Sequence, residues 1–189
     1  MLTSLVGSEM CIRDSLLTHT AGLTYGFHYR TNIDHAYRKV WSGPKGDNTD
    51  FSFPPLNLDN FSKSIANLPL EFSPGDKWNY SVATDICGRL IEVLSDMTLD
   101  EYFKKYIFKP LQMDDTGFYV PKNKISRFAA CYERTPTEYL KLQDSGSKKS
   151  GYSKMPLHLS GGGGLVSTSE DYYNFCQMLL NGGTFKGKR

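Results

Sequence analysis

Two features that would assign a protein to a class are missing from this 189-residue chain. No apolar run approaches the ~20 residues that a membrane-spanning helix needs. The net charge of +2 is too small to indicate binding to nucleic acid or to an anionic membrane surface. The composition, with 39% hydrophobic and 22% charged residues, is instead typical of a globular protein.

The cysteines are few and far apart, and no Cys-x-x-Cys pair occurs among them. They are Cys11, Cys87, Cys131 and Cys176. This spacing excludes a zinc knuckle and a thioredoxin-like redox motif. Cys87 and Cys176 fall within helical patterns, and we expect both thiols to be buried because free cysteine is usually an interior residue.

Signatures of metal and phosphate sites are also missing. No His-Glu-x-x-His sequence occurs, and the four histidines are scattered along the chain: His19, His28, His35 and His158. The segment Gly182–Arg189 imitates a phosphate loop, but Arg189 stands where a Ser or Thr should hold magnesium. The sequence therefore predicts neither a metal nor any other cofactor.

No nucleophile motif lies in a suitable context. The Gly-x-Ser-x-Gly elbow of α/β-hydrolases is absent. Ser-x-x-Lys occurs at Ser42–Lys45 and at Ser145–Lys148. The motif needs a helix to bring both side chains to one face. Gly43 and Pro44 would break a helix in the first match, and the second lies in a Gly-, Ser- and Lys-rich loop.

Apolar spacing, capping residues and Pro or Gly stops together predict a chain dominated by helices. The predicted helices are Ser15–Leu23, Ile33–Val40, Leu58–Leu68, Ser81–Ser95, Thr98–Pro110 and Ser167–Leu180. Capping-box spacing at Thr98-x-x-Glu101 and Ser167-x-x-Glu170 predicts where the last two begin. A strand is predicted at Phe128–Thr135, and Gln143–Lys154 is predicted to be an exposed loop.

The fourth predicted helix carries an apolar stripe. Val82, Ile86, Leu90 and Leu94 recur at every fourth position. Such spacing places the four side chains along one helix face, and this face is the expected packing surface.

Four longer segments occur in one order along the chain. They are "LLTHTAGLTYGF" (16–27), "PGDKWNYSVATDICGRLIEVLS" (74–95), "FKPLQMDDTGF" (108–118) and "GGGGLVSTSEDYYNFCQMLLNGG" (161–183). The ordered set resembles the serine β-lactamase-like family, which includes class C β-lactamases, DD-peptidases and family VIII carboxylesterases. The resemblance implies an α+β fold in which an antiparallel sheet is flanked by helices. This chain would hold mostly the helical part of that fold.

The resemblance also implies site residues. Tyr80 of "NYS" matches the family's catalytic tyrosine, which takes part in proton transfer beside the serine and lysine of a Ser-x-x-Lys helix. A free phenol has a pKa of about 10, so it needs a nearby cation to act as a base at neutral pH. Ser81, Gly162 and Gly163 are candidates for substrate binding. The run Gly161–Gly164 can equally form a tight turn that brings two backbone segments together.

Val82 departs from the family pattern. β-Lactamases and peptidases carry Asn at this position, where its amide contacts the substrate amide, and an apolar Val side chain cannot form that hydrogen bond. The departure favours an esterase-like serine hydrolase that acts through an acyl-enzyme on a small-molecule ester or amide, rather than on a lactam. The alternative is a non-catalytic scaffold or binding protein. No nucleic-acid partner is expected, and neither oligomeric state nor compartment is predicted, although a secreted or periplasmic parent is compatible with the resemblance.

The domain boundaries follow from the same comparison. Residues 1–15 are predicted to be a non-native leader, because "VGSEMCIRDS" resembles a translated sequencing adapter found in metagenomic data. Residues 16–189 are predicted to be a β-lactamase-related domain truncated at both ends, without the Ser-x-x-Lys helix and the late strand. We therefore expect the 189-residue chain to be inactive and to expose apolar helix faces.

Overall fold

The structure, a computed structural model, describes residues 14–42, 54–137 and 139–189. Most of the predicted leader and the whole of Gly43–Lys45 lie outside these described residues. The chain divides into two units. Unit 1 comprises Met1–Leu99 and Leu157–Gly163, and unit 2 comprises Asp100–Pro156 and Gly164–Arg189.

Unit 1 contains three longer helices, which we number α1 to α3. They are α1 (Asn32–Ser42), α2 (Leu58–Ala66) and α3 (Ala83–Ser95). A single 3-10 turn (Gly26–His28) precedes α1. The side chain of Asn57 caps α2 by accepting a hydrogen bond from the backbone N–H of Asn60 at 2.9 Å. These elements confirm the second, third and fourth predicted helices to within a few residues.

The core of unit 1 lies between these helices and the segment that precedes α1. Its buried apolar residues are Leu16, Ala21, Leu23, Tyr25, Tyr37, Phe61, Ile65, Val82 and Ala83. Phe61 and Ala83 are completely buried, and α2 packs against both α1 and α3. Burial of this apolar surface is the main source of stability for the unit.

Unit 2 contains shorter elements. They are α4 (Leu99–Phe103, with Leu99 at the unit boundary), a π-helical turn (Lys104–Phe108), 3-10 turns (Lys122–Arg127 and Gly151–Ser153), β1 (Cys131–Glu133), β2 (Lys141–Asp144) and α5 (Ser169–Leu180). The two strands pair antiparallel, with Tyr132 opposite Leu142. A small core forms from Phe108, Leu111, Met113 and Phe185. The fold is therefore rich in helix, with a small antiparallel sheet.

The first predicted helix, Ser15–Leu23, is wrong in its second half. Residues 14–17 are helical, but His19 adopts a left-handed backbone conformation with φ of 57°. The backbone beyond that point forms tertiary hydrogen bonds instead of helical ones, because the oxygen of Gly22 accepts from the N–H of Glu71. Gly22 itself has φ of 77°, which a residue with a β-carbon rarely adopts.

The apolar stripe predicted on α3 is wrong at its C-terminal end. Val82 is buried, but Leu90 is 41% and Leu94 is 78% exposed. The buried face of the helix is instead formed by Ala83, Asp85 and Gly88. Small and polar residues take this face because other backbone and polar groups approach it closely, as described below.

Four smaller predictions are also corrected. Cys176 is exposed, whereas Cys87 is partly buried. The side chain that caps α5 belongs to Thr168, not Ser167, because its hydroxyl accepts from the backbone N–H of Asp171. Of the strand predicted at Phe128–Thr135, only Cys131–Glu133 (β1) is a strand. Part of the loop predicted at Gln143–Lys154 belongs instead to β2 and to the second 3-10 turn.

Candidate active site around Tyr80

Tyr80 lies in a segment without regular secondary structure shortly before α3, with 45% of its surface exposed. Its ring is surrounded by other aromatic rings on the inner side. The ring centroids of His19 and Tyr25 lie 5.1 Å and 5.2 Å from that of Tyr80, and the Phe27 ring lies at 6.4 Å. The phenol therefore sits on an aromatic support while part of it faces outward.

The backbone around Tyr80 is held by the segment 19–24. The N–H of Asn79 donates to the oxygen of His19 at 2.9 Å, and the N–H of Val82 donates to the oxygen of Thr24 at 3.3 Å. These two bonds bracket Tyr80 and explain why the first predicted helix ends early. The motifs "LLTHTAGL" and "NYS", which are far apart in the sequence, thus form one structural unit.

Two histidines contact the same motif. Nε2 of His28 lies 2.8 Å from the backbone oxygen of Tyr80, and Nδ1 of His19 lies 3.2 Å from Oγ of Ser81. Sequence reasoning missed both contacts, because nothing in a single sequence links residues that are more than fifty positions apart. His28 bonds the backbone of Tyr80 and His19 supports its ring, so both help to hold the motif.

Ser81 is predicted to bind substrate, and its side chain is buried with only 1% of the residue exposed. Its hydroxyl contacts His19 and accepts from the backbone N–H of Ala83 at 3.4 Å. In this arrangement the hydroxyl helps to begin α3. A contact between Ser81 and substrate stays a prediction.

A buried polar network lies behind Tyr25. Its phenol donates to Oδ2 of Asp85 at 3.4 Å, and Ser160 donates to Oδ1 of the same carboxylate at 2.5 Å. Burial, followed by the nearby charge of Asp85, raises the pKa of Tyr25 well above its ordinary value. Tyr25 is therefore a neutral phenol at physiological pH, and it can serve Tyr80 as a ring support but not as a base.

Asp85, His158 and Ser160 bring together the residue types of a serine-protease triad, but their connections differ. In a triad the histidine lies between the serine and the acid. Here Ser160 donates directly to Asp85, while the two ring nitrogens of His158 contact Asp85 (3.4 Å) and the oxygen of Leu56 (3.2 Å). Asp85 and His158 are both fully buried. We conclude that this network connects α3 to the segment 157–163 and does not supply a nucleophile.

The glycine run lies against α3. A β-carbon placed on Gly161 would lie 2.1 Å from the carbonyl oxygen of Thr84 and 3.2 Å from the Cα of Gly88. Such distances allow only glycine without a shift of the backbone. The interpretation of Gly161–Gly164 as a site of close backbone approach is thus supported at Gly161.

Gly162 and Gly163, the other predicted substrate-binding residues, are both exposed. A β-carbon on Gly162 would lie 2.7 Å from Oγ1 of Thr84 and 3.3 Å from the Tyr25 hydroxyl. Gly162 and Tyr80 therefore share Tyr25 as a neighbour, which brings the glycine run to the tyrosine motif. Gly163 has open space around it. Substrate contacts at these two positions stay predictions.

Neither Ser-x-x-Lys match forms a catalytic pair within the described residues. Ser145 follows β2 in a loop, and its hydroxyl contacts Ser147 at 2.8 Å. Ser42 is the last residue of α1, and Lys45 lies outside the described residues. In residues 14–42, 54–137 and 139–189 no cluster of three or more His, Cys, Asp or Glu residues could hold a metal ion. No helix in the same ranges is long and apolar enough to cross a membrane.

The family model named Beta-lactamase matches residues 8–189. This chain belongs to the beta-lactamase family. The match covers Tyr80, its aromatic support and the glycine run, and it confirms the family inferred from the four ordered motifs.

Curated relatives of this beta-lactamase family chain include esterases. Protein Rv1367c of Mycobacterium tuberculosis (strain H37Rv) is 34% identical over 176 residues, which are 93% of this chain and 40% of the relative. Esterase EstB of Burkholderia gladioli is 31% identical over 139 residues, which are 73% of this chain and 33% of the relative. The chain thus spans about 40% or less of the length of these relatives.

A solved structure confirms the fold. EstCE1, described as a hydrolase with promiscuous acyltransferase activity, superposes with a TM-score of 0.71 at 23% identity. The match covers 93% of this chain and 47% of EstCE1. The beta-lactamase family chain therefore has the expected β-lactamase/transpeptidase-like fold, of which it contains a helix-rich portion.

Proposed function

We propose that this chain is part of a serine hydrolase that cleaves a small-molecule ester or amide through an acyl-enzyme, with Tyr80 as a proton-transfer group. The serine of a Ser-x-x-Lys helix outside the described residues would attack the carbonyl carbon. Its proton would pass through Tyr80 to the leaving group, and water would then hydrolyse the acyl-enzyme.

The observation that carries the proposal is the placement of Tyr80. The phenol is partly exposed, while the backbone on both sides is fixed by the segment 19–24 and by His28. The ring also rests against those of His19 and Tyr25, at centroid distances of 5.1 Å and 5.2 Å. Pre-positioning of a reactive group in this way is what general acid–base catalysis requires.

Val82 favours an ester over a lactam as substrate. Its side chain is buried, with 1% of the residue exposed, and as a valine it offers no hydrogen-bonding group. The similarity to Esterase EstB is consistent with this preference.

The test uses the protein encoded by the complete reading frame of the source gene, called the complete protein below. We expect it to hydrolyse p-nitrophenyl butyrate faster than the lactam nitrocefin, and intact-mass analysis after a rapid quench should show an acyl adduct. Tyr80→Phe should lower kcat by roughly 10²–10⁴-fold, the usual contribution of a positioned proton-transfer group.

Tyr173→Phe is the matched control. Tyr173 is a similarly exposed tyrosine on α5, with 59% exposure, and its substitution should leave kcat unchanged. Unchanged turnover in Tyr80→Phe would remove Tyr80 from the mechanism. A complete protein that hydrolyses neither substrate and has no serine in a helical Ser-x-x-Lys would instead support the non-catalytic scaffold.

A further inference from the structure

Asn79, the residue before Tyr80, is held on three sides. It is 6% exposed. Its backbone N–H donates to His19, its side-chain nitrogen donates to the oxygen of Leu23 at 2.8 Å, and its side-chain oxygen accepts from Arg30 at 2.8 Å. Because both ends of this buried side-chain amide are hydrogen-bonded, the backbone of Asn79 is fixed. The position of the next Cα, that of Tyr80, is fixed with it.

Arg30 connects Asn79 to a buried acid. One end of its guanidinium group donates to Asn79, while Nε lies 3.6 Å from Oδ2 of Asp34. The planar group has several donors in a fixed arrangement, so a single arginine can join two acceptors rigidly. The Arg30 side chain is nevertheless 52% exposed.

Asp34 anchors the other end. It is fully buried, and its carboxylate accepts from the hydroxyl of Thr24 at 2.6 Å and from the backbone N–H of Arg30 at 2.8 Å. Burial acts to raise the pKa of Asp34, but these hydrogen bonds and the charge of Arg30 outweigh it and hold the pKa below its usual range. Asp34 is therefore a fixed carboxylate at neutral pH.

We propose that Asp34, Arg30 and Asn79 form a positioning relay that sets the place of the Tyr80 phenol. The part of this proposal that concerns catalysis rests on the proposed function. The relay reaches the tyrosine motif from α1, and its last hydrogen bond ends one residue before Tyr80. All three residues belong to unit 1, so the relay is complete within the described part of that unit.

The exposure of Arg30 separates this role from a purely structural one. A half-exposed ion pair contributes little to folding stability. The same guanidinium group nevertheless joins Asp34 to Asn79. A lysine at position 30 would keep the charge but could not hold both partners in one plane. The relay therefore predicts that Arg30→Lys disturbs Tyr80 more than it disturbs stability.

Arg89 provides a matched control, because its guanidinium group also joins two side chains in unit 1, in this case two carboxylates. Its guanidinium nitrogens lie 2.8 Å from Asp59 and 3.2 Å from Glu92, and its side chain is 30% exposed. These contacts lie on α2 and α3 and do not involve the segment around Tyr80. Arg89→Lys should therefore change stability about as much as Arg30→Lys and leave Tyr80 unaffected.

The first measurement is structural and does not depend on catalysis. The complete protein is labelled with [¹³Cζ]tyrosine, and the Tyr80 resonance is assigned by its loss in Tyr80→Phe. We expect Arg30→Lys and Asn79→Ala to shift or broaden this resonance, and Arg89→Lys to leave it unchanged. An unchanged Tyr80 resonance in both relay variants would overturn the proposal.

The second measurement is kinetic. For p-nitrophenyl butyrate we expect Arg30→Lys to lower kcat on the order of 10-fold with little change in KM, since misplacement of a reacting group affects the chemical step. If Tyr80→Phe leaves turnover unchanged, the proposed function fails, and the NMR comparison still decides whether the relay positions the ring. If both relay variants fail to fold while Arg89→Lys folds, the relay is structural and the positioning assignment is wrong.

Discussion

At the scale of single residues, Asp59 and Asp34 of unit 1 both have a lowered pKa, but they differ in burial. Hydrogen bonding from Lys63, with a further contribution from Arg89, lowers the pKa of Asp59 at the surface. Asp34 has a lowered pKa although its side chain is fully buried. Water screens the interactions of Asp59, so these interactions are weak. At Asp34 fixed hydrogen-bond donors of the protein take the place of water.

This difference leads to a pH prediction for Asp34. Its pKa is lower in the folded than in the unfolded state, so the ionised carboxylate stabilises the fold above pH ~4, and this contribution is lost as the pH falls below that value. We expect Asp34→Asn to lower the free energy of unfolding at pH 7 by about 2 kcal/mol, the size of hydrogen bonds to a charged group. The variant should also show a flatter dependence of stability on pH between ~2 and ~5.

Urea unfolding of the complete protein at several pH values measures both effects. Asp59→Asn is the control, and we expect a much smaller change because this carboxylate is at the surface. Equal losses in the two variants at pH 7 would contradict the argument from burial.

At the scale of elements, the contact between α3 and the glycine run is a contact of backbone on backbone. Gly88 and Gly161 approach so closely that no side chain fits between them. We expect Gly161→Ala to lower the free energy of unfolding by roughly 1–3 kcal/mol, as overpacking of a closely packed site does.

Gly163→Ala is the control for this substitution, since a β-carbon there meets nothing within 4 Å. Thermal unfolding of the two variants of the complete protein makes the comparison. If Gly163→Ala is as destabilising as Gly161→Ala, flexibility of the run and not close approach explains the glycines.

The same elements show how far the sequence could predict the structure. Apolar spacing correctly predicted α1, α2, α3 and α5, because helix formation is local, although the predicted cap of α5 was wrong by one residue. The stripe on α3 failed at Leu90 and Leu94, since the face that a helix buries depends on its partners, here Gly161, Ser160 and His158. The resemblance to a family motif identified Tyr80. The contacts of His19 and Tyr25 with its ring, and of Arg30 with Asn79, could not be predicted because they join distant positions.

At the scale of the whole chain, several large apolar side chains are exposed in each unit. In unit 1 they include Leu90, Val93 and Leu94, and in unit 2 they include Tyr172, Tyr173, Leu179 and Leu180. Such contiguous apolar faces are uncommon on monomeric proteins and promote association. This observation agrees with the expectation that the 189-residue chain would expose apolar helix faces.

We therefore expect the purified 189-residue chain to bind the dye ANS and to self-associate in sedimentation experiments. Leu94→Lys should reduce dye binding and association, because it places a charge in the apolar face of α3. Leu17→Lys is the control, since Leu17 is also exposed, at 62%, but lies outside that face. A monodisperse chain that does not bind the dye would contradict this prediction.

The burial of Asn79 also bears on the choice of expression host. Asn79-Tyr-Ser and Asn60-Phe-Ser are both acceptor sequences for N-linked glycans. Asn60 is exposed and could carry a glycan, whereas both ends of the Asn79 amide are occupied by Leu23 and Arg30. A sugar attached to Asn79 during secretion would replace one of these bonds and could not fit in the interior. Peptide mapping of folded material from a secretory host should accordingly find sugar on Asn60 alone, and a host that does not glycosylate avoids the conflict.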